Sequence, residues 1–209
     1  MSNEQQPNRG QEYRASCLSV SEIRMDSQED GSEPKIVGYA AKFNSLSHDL
    51  GGFREKIEPG AFSRALSEGQ DVRALVDHDP GKIIGRSTSG TLRMLEDDHG
   101  LRVEIDPANT TAGRDIMESI TRGDVTGMSF GFTVKDDDWQ IVDGENIRTL
   151  RDMDLFDVSV VTFPAYASTE VALRSLSEFQ ADMAAVDEDI RRADATAMRK
   201  AKIRLAESD

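Results

Sequence analysis

The pattern of apolar and polar positions changes texture twice along this chain. Up to about residue 35, Gln, Asn, Ser, Glu and Asp dominate. A stretch of that kind buries too little apolar surface to offset chain entropy, so residues 1–13 are expected to form a disordered tail. Arg14 to Met25 alternates enough to predict a first strand. From Lys35 the apolar content rises. Lys35–Phe43 and Phe53–Ile57 read as strands on either side of a loop at 44–52. Pro59–Leu66 reads as a helix, with Pro59 suited to its first turn and Gly69 to its stop. The short apolar run Val72–Val76 predicts a buried strand. Gly81–Thr88, Gly90–Leu95 and Leu101–Ile105 predict three more, the last two separated by the turn Asp97-Asp98-His99-Gly100.

The second half continues in the same way. Thr110 or Thr111 is placed to cap a helix that runs to about Arg122, with Ile116, Met117 and Ile120 on one face and Gly123 as its end. Met128–Lys135 predicts a strand. Asp136-Asp137-Asp138 and Asp143-Gly144-Glu145-Asn146 bracket an expected hairpin. Arg148–Asp154 and Leu155–Thr162 predict the last strands, and Pro164 ends the run. Beyond about Arg174 the period changes. Leu176, Phe179, Met183, Val186, Ile190 and Ala193 recur at spacings of three or four, which predicts an amphipathic helix, with a second at Thr196–Leu205. Residues 14–174 therefore form the expected domain and 175–209 a helical C-terminal tail. Many short strands separated by turn signals predict a mixed, mainly β fold, a closed barrel or sandwich flanked by helices.

Composition narrows the function. The 209 residues carry 25 Lys and Arg against 39 Asp and Glu, a formal net charge of −14. That balance disfavours nucleic acid as a partner held through phosphate contacts. The single cysteine, Cys17, excludes an internal disulfide framework and any multi-cysteine metal site. No His-x-x-x-His spacing exists, so no metal and no cofactor are expected. An acidic turn accounts for Asp136–Asp138 more simply than a cation site does. No apolar run approaches the ~20 residues of a membrane span, and Met-Ser-Asn-Glu-Gln-Gln-Pro-Asn lacks a signal-peptide core, so a cytoplasmic location without membrane partners is expected.

Gly127-Met128-Ser129-Phe130-Gly131 matches G-x-S-x-G, the pattern of a nucleophile elbow. The order of residues does not suit an α/β-hydrolase, because His48, His78 and His99 all precede Ser129. A strand with small residues at a close approach is the competing reading. A serine nucleophile needs a base within reach and a group that orients the base. His78 follows the buried-looking strand Val72–Val76 at its C-terminal end and is the best base; a loop histidine bonded to Asp77 or Asp79 is the alternative. His99 belongs to a solvated turn and His48 to a glycine-rich loop. Asp157 lies inside the apolar run Leu155–Val161, where an acid is paired, faces a cavity or points to solvent.

The order His78, Ser129, Asp157, with its surroundings, resembles the tailed-phage prohead protease family. Gly38–Asn44 resembles that family's opening strand, and Glu58-Pro59-Gly60-Ala61-Phe62 the start of its first helix. Leu75-Val76-Asp77-His78-Asp79, followed by Ile84-Gly85-Arg86, resembles its histidine motif. Arg122–Phe132 resembles its serine motif and Leu155–Tyr166 its third motif, where many members carry glutamate in place of Asp157. The match covers about residues 14–174. The resemblance implies a barrel like that of the herpesvirus assembly proteases. It implies a serine endopeptidase with Ser129 as nucleophile, His78 as base and Asp157 as orienting acid. It further implies action inside immature capsids in the host cytoplasm on the major capsid protein or its scaffolding segment, and on the protease itself, which also leaves room for a homo-oligomer. Oxyanion donors are sought around Gly131 or after Pro164. Two other classes compete: a catalytically inert capsid-assembly module, and an esterase acting on small molecules.

Overall fold

The computed structural model describes residues 10–15, 24–26, 34–162 and 170–206. Two short strands, β1 (Glu12–Ala15) and β2 (Arg24–Asp26), replace the single strand expected over Arg14–Met25. β1 begins inside the segment expected to be tail, and the two strands join different sheets. Then follow β3 (Lys35–Lys42), β4 (Arg54–Ile57), α1 (Ser63–Ser67), β5 (Arg73–Val76), β6 (Asp79–Arg86), β7 (Leu92–Glu96) and β8 (Gly100–Ile105). Next come α2 (Thr111–Arg122), β9 (Gly127–Val142), β10 (Glu145–Val161) and α3 (Glu170–Ala206). The fold is mainly β with few helices.

Local chemistry explains most of these bounds. Thr110 caps α2 by accepting from the Gly113 amide at 3.2 Å, and Gly123 ends the helix at φ 78°. α1 is shorter than the sequence suggests. Gly60 takes φ 96°, outside right-handed helix, so Pro59–Phe62 form turns and the helix starts only at Ser63. Asp136–Asp138 are not a turn. They lie within β9, where Arg148 Nε meets Asp137 at 2.8 Å and Arg151 Nη2 meets Asp138 at 3.3 Å. The turn is Asp143-Gly144, both at positive φ, which turns β9 directly into β10. The sequence placed two strands where β10 runs unbroken through 17 residues, because bulges at Leu150–Met153 and Leu155–Asp157 absorb the irregularities.

Among the described residues the strands form two sheets. One runs β1-β9-β10-β5-β6 with β4 also paired to β10, and the other runs β2-β3-β8-β7. Both sheets bury side chains in one core, Ile36, Ala40, Leu101, Val103 and Ile105 from the second and Phe130, Phe132, Val158 and Val160 from the first. β1 is held by charge as well as by its ladder. Arg14 meets Glu55 at 2.7 Å and Glu12 at 2.5 Å, while Arg148 meets Glu12 at 3.0 Å, Glu55 at 3.1 Å and Asp137 at 2.8 Å. This buried network ties β1, β4, β9 and β10 together. Removing one member strands the opposite charges in a dry site. Arg148→Ala is therefore expected to cost about 3–5 kcal/mol of stability; a loss under about 1 kcal/mol in denaturant unfolding would show that the network contributes nothing to the fold.

The chain divides into a body, Met1–Val171, and a second unit, Ala172–Asp209. α3 is one continuous helix over Glu170–Ala206 where the sequence suggested two, since the Ala-rich stretch at 193–197 contains neither Gly nor Pro.

Candidate active site

The connection from β5 to β6 consists of two residues, Asp77 and His78, at φ 51° and 56°. Two-residue hairpin turns take such backbone because it follows the right-handed strand twist. Neither residue is glycine, so the turn needs anchoring. The Asp77 amide donates to the Val160 carbonyl at 2.9 Å. The Thr162 amide and hydroxyl donate to the Asp77 carboxylate at 2.7 and 3.1 Å. The hairpin tip is thereby tied to the end of β10, which runs parallel to β5. Neither flanking acid takes the imidazole, since Asp77 serves Thr162 and Asp79 serves Gly81 and Lys82.

Ser129 lies within β9, so G-x-S-x-G here is a strand and not an elbow between strand and helix. Opposite Ser129 on β10 stands Ser159, and opposite Gly131 stands Asp157. The bulge at Phe156 brings Phe156 and Asp157 together over Gly131. A Cβ at position 131 would sit 2.3 Å from Asp157 Oδ2 and 2.4 Å from Phe156 Cε2. The second glycine of the motif is therefore the floor on which the acid rests. Gly131→Ala is expected to displace Asp157 and to remove at least ~90% of activity while the protein stays folded; cleavage at the unmodified rate would show that the carboxylate has room to move.

These elements bring the three candidate residues into one relay. His78 Nδ1 is 2.7 Å from Asp157 Oδ1, and His78 Nε2 is 2.6 Å from Ser129 Oγ. A carboxylate only accepts, so in the neutral imidazole Nδ1 carries the proton and Nε2 presents its lone pair to Ser129. Ser129 and Asp157 are buried, whereas His78 keeps 17% of its side-chain surface open. A hydroxyl, an imidazole and a carboxylate so joined can move the hydroxyl proton to the ring and hold the resulting imidazolium. The Ser129 hydroxyl has a second acceptor, the Arg14 carbonyl of β1, at 2.9 Å.

His99 and His48 stand elsewhere. His99 lies in the β7–β8 turn with 78% of its side chain exposed, and His48 is exposed in the loop between β3 and β4. The stretch after Pro164 lies outside the described residues. Among those described, no group of three or more His, Cys, Asp or Glu is placed to hold a metal ion.

Two neighbours escaped the sequence reading. The Ser159 hydroxyl donates to Asp157 Oδ1 at 2.8 Å and stands 3.2 Å from His78 Nδ1. Its signal was the period of two, which puts it on the face of Asp157. The Tyr13 ring packs edge-on against His78 at 4.5 Å between centroids and against Phe156 at 5.5 Å. Burial, and after it the Asp157 charge, push the Tyr13 phenol above its ordinary pKa. Tyr13 had no such signal, because it falls in the expected tail.

Comparison with known proteins bears out the family resemblance. The family model for caudovirus prohead serine proteases matches residues 21–182. The prohead protease of Enterobacteria phage HK97 is 32% identical over 163 residues, covering 74% of this chain and 66% of that protein, just under two thirds of its length. The bacteriophage T4 capsid assembly protease is similar at 12% identity and a TM-score of 0.48, over 74% of this chain and 99% of that one. With a family model matching well over half its length and a relative this similar, the chain belongs to the caudovirus prohead serine protease family.

Proposed function

We propose that this chain is a serine endopeptidase of prohead maturation, acting on the major capsid protein or its scaffolding segment and on itself. Ser129 attacks the scissile carbonyl, and a bond forms between its Oγ and the carbonyl carbon. His78 takes the hydroxyl proton and delivers it to the leaving amine. Asp157 holds the ring in the productive tautomer and stabilises the imidazolium. Water then releases the acyl group from Ser129, with His78 again as base. The observation that carries the reading is the pair of contacts that His78 makes, 2.6 Å to Ser129 and 2.7 Å to Asp157, in a chain of this family. The site of action is the prohead within the host cytoplasm, and copies of the chain are its other expected partners. The two sheets are further proposed to be parts of one barrel of the herpesvirus-protease kind, supported by the single core they share.

The test is co-expression with the capsid protein of the same phage. The capsid protein is expected to be shortened by the intact chain and to stay whole beside Ser129→Ala. A capsid protein left whole by both would favour the inert assembly module instead.

A further inference from the structure

We propose that Ser159 is a fourth member of the site, a positioning residue that acts through Asp157 and His78; this rests on the triad reading above. Ser159 is fully buried, and its hydroxyl donates to Asp157 Oδ1, the same oxygen that accepts from His78 Nδ1. With its proton committed there, its lone pairs face His78 Nδ1 at 3.2 Å. Both neighbours of Nδ1, the carboxylate and this hydroxyl oxygen, thus require a proton on Nδ1. That leaves Nε2 free to accept from Ser129. The hydroxyl also stabilises the charged form of Asp157 by a charge-assisted bond and fixes which oxygen faces the ring. The placement follows from the ladder. Ser159 is two residues from Asp157 on one face of β10 and directly opposite Ser129 on β9.

Other polar groups around the pair do not substitute for it. Tyr13 of β1 meets His78 through a T-shaped ring contact, 4.5 Å between centroids. Arg73, opposite Asp157 on β5, is engaged with Asp71, while Asp77 and Asp79 of the hairpin serve Thr162 and Lys82. Without the Ser159 donor, Asp157 binds a proton more readily and its charge favours the imidazolium more. Both changes move the acid limb of the pH–rate profile to higher pH.

The test uses the full chain and a fluorophosphonate probe, in which the Ser129 oxygen displaces fluoride from phosphorus. The rate of labelling is measured across pH for wild type, Ser159→Ala, Ser159→Cys and Ser159→Thr, beside thermal unfolding of each. Ser159→Ala is expected to lower the maximal labelling rate on the order of tenfold to a hundredfold, with probe affinity unchanged, and to move the acid limb up by about one pH unit. Ser159→Cys fills the same space with a weak donor and is expected to behave as the alanine variant does, even if that one folds poorly. Ser159→Thr keeps the hydroxyl and is expected to restore both rate and profile. A folded Ser159→Ala or Ser159→Cys with the wild-type rate and profile overturns this role, whatever its thermal stability, while leaving the triad in place. A wild-type chain that Ser129→Ala does not distinguish in labelling overturns the triad and this role together.

Discussion

Ser129→Ala is expected to reduce peptide cleavage on the order of 10⁶-fold while the fold persists. The side chain lost is small, and its hydroxyl makes two contacts, to His78 Nε2 and to the Arg14 carbonyl. Alanine fills nearly the same space on β9, and the flanking pairs with β1 and β10 depend on the backbone. The chemical loss is severe, because among the described residues Ser129 is the hydroxyl that meets His78 Nε2. Ser159 faces Nδ1 and Asp157, so it cannot replace Ser129 at Nε2. The measurement is cleavage of a protein substrate by equal amounts of the two purified proteins, with unfolding midpoints to show that both are folded. A variant that keeps a rate near wild type would place the nucleophile elsewhere.

His78→Ala is expected to match the loss at Ser129, and His99→Ala to leave the rate within about twofold of wild type. Members of a triad act as one unit, so removing the base costs about as much as removing the nucleophile, and the double variant costs little more. His78 is joined to both partners, whereas His99 makes a backbone contact to Asp97 in an exposed turn on the other sheet. The pair of variants controls for general loss of histidine. Equal and severe losses at both positions would reject His78 as the base, and a nearly active His78→Ala would mean that Ser129 is activated by some other group.

Much of the site was legible along the chain because each residue type sits in a locally unusual place. An acid inside Leu155–Val161, a histidine at the end of a buried strand and a serine between two glycines are each departures from the surrounding pattern. Period-two alternation left the face of Asp157 open, and it did not foresee the Phe156 bulge that turns the carboxylate onto Gly131. Asp136–Asp138 misled for a related reason. Three acids in a row signal a turn when read locally, but Arg148 and Arg151 pair with Asp137 and Asp138 from the neighbouring strand. Glu12 and Tyr13 misled more. A polar segment reads as tail until Glu55 and Arg148, far along the chain, supply the buried charges that hold it.

Legible in the sequence were the places of most strands from Lys35 onward, though not the length of β9 or the unbroken run of β10, together with the caps of α2 and the order of residue types able to do acyl-transfer chemistry. These follow from local rules, alternation, capping and turn preferences, that act over a few residues. The tertiary structure alone decided that His78 reaches across 51 residues to Ser129 and 79 to Asp157. It also decided that β5 pairs parallel to β10 and that β1 pairs antiparallel with β9 beside Ser129. Such pairings depend on the register of strands distant in sequence. Many registers satisfy the same alternation, and only the packing of the whole core, with its buried charges matched, selects one.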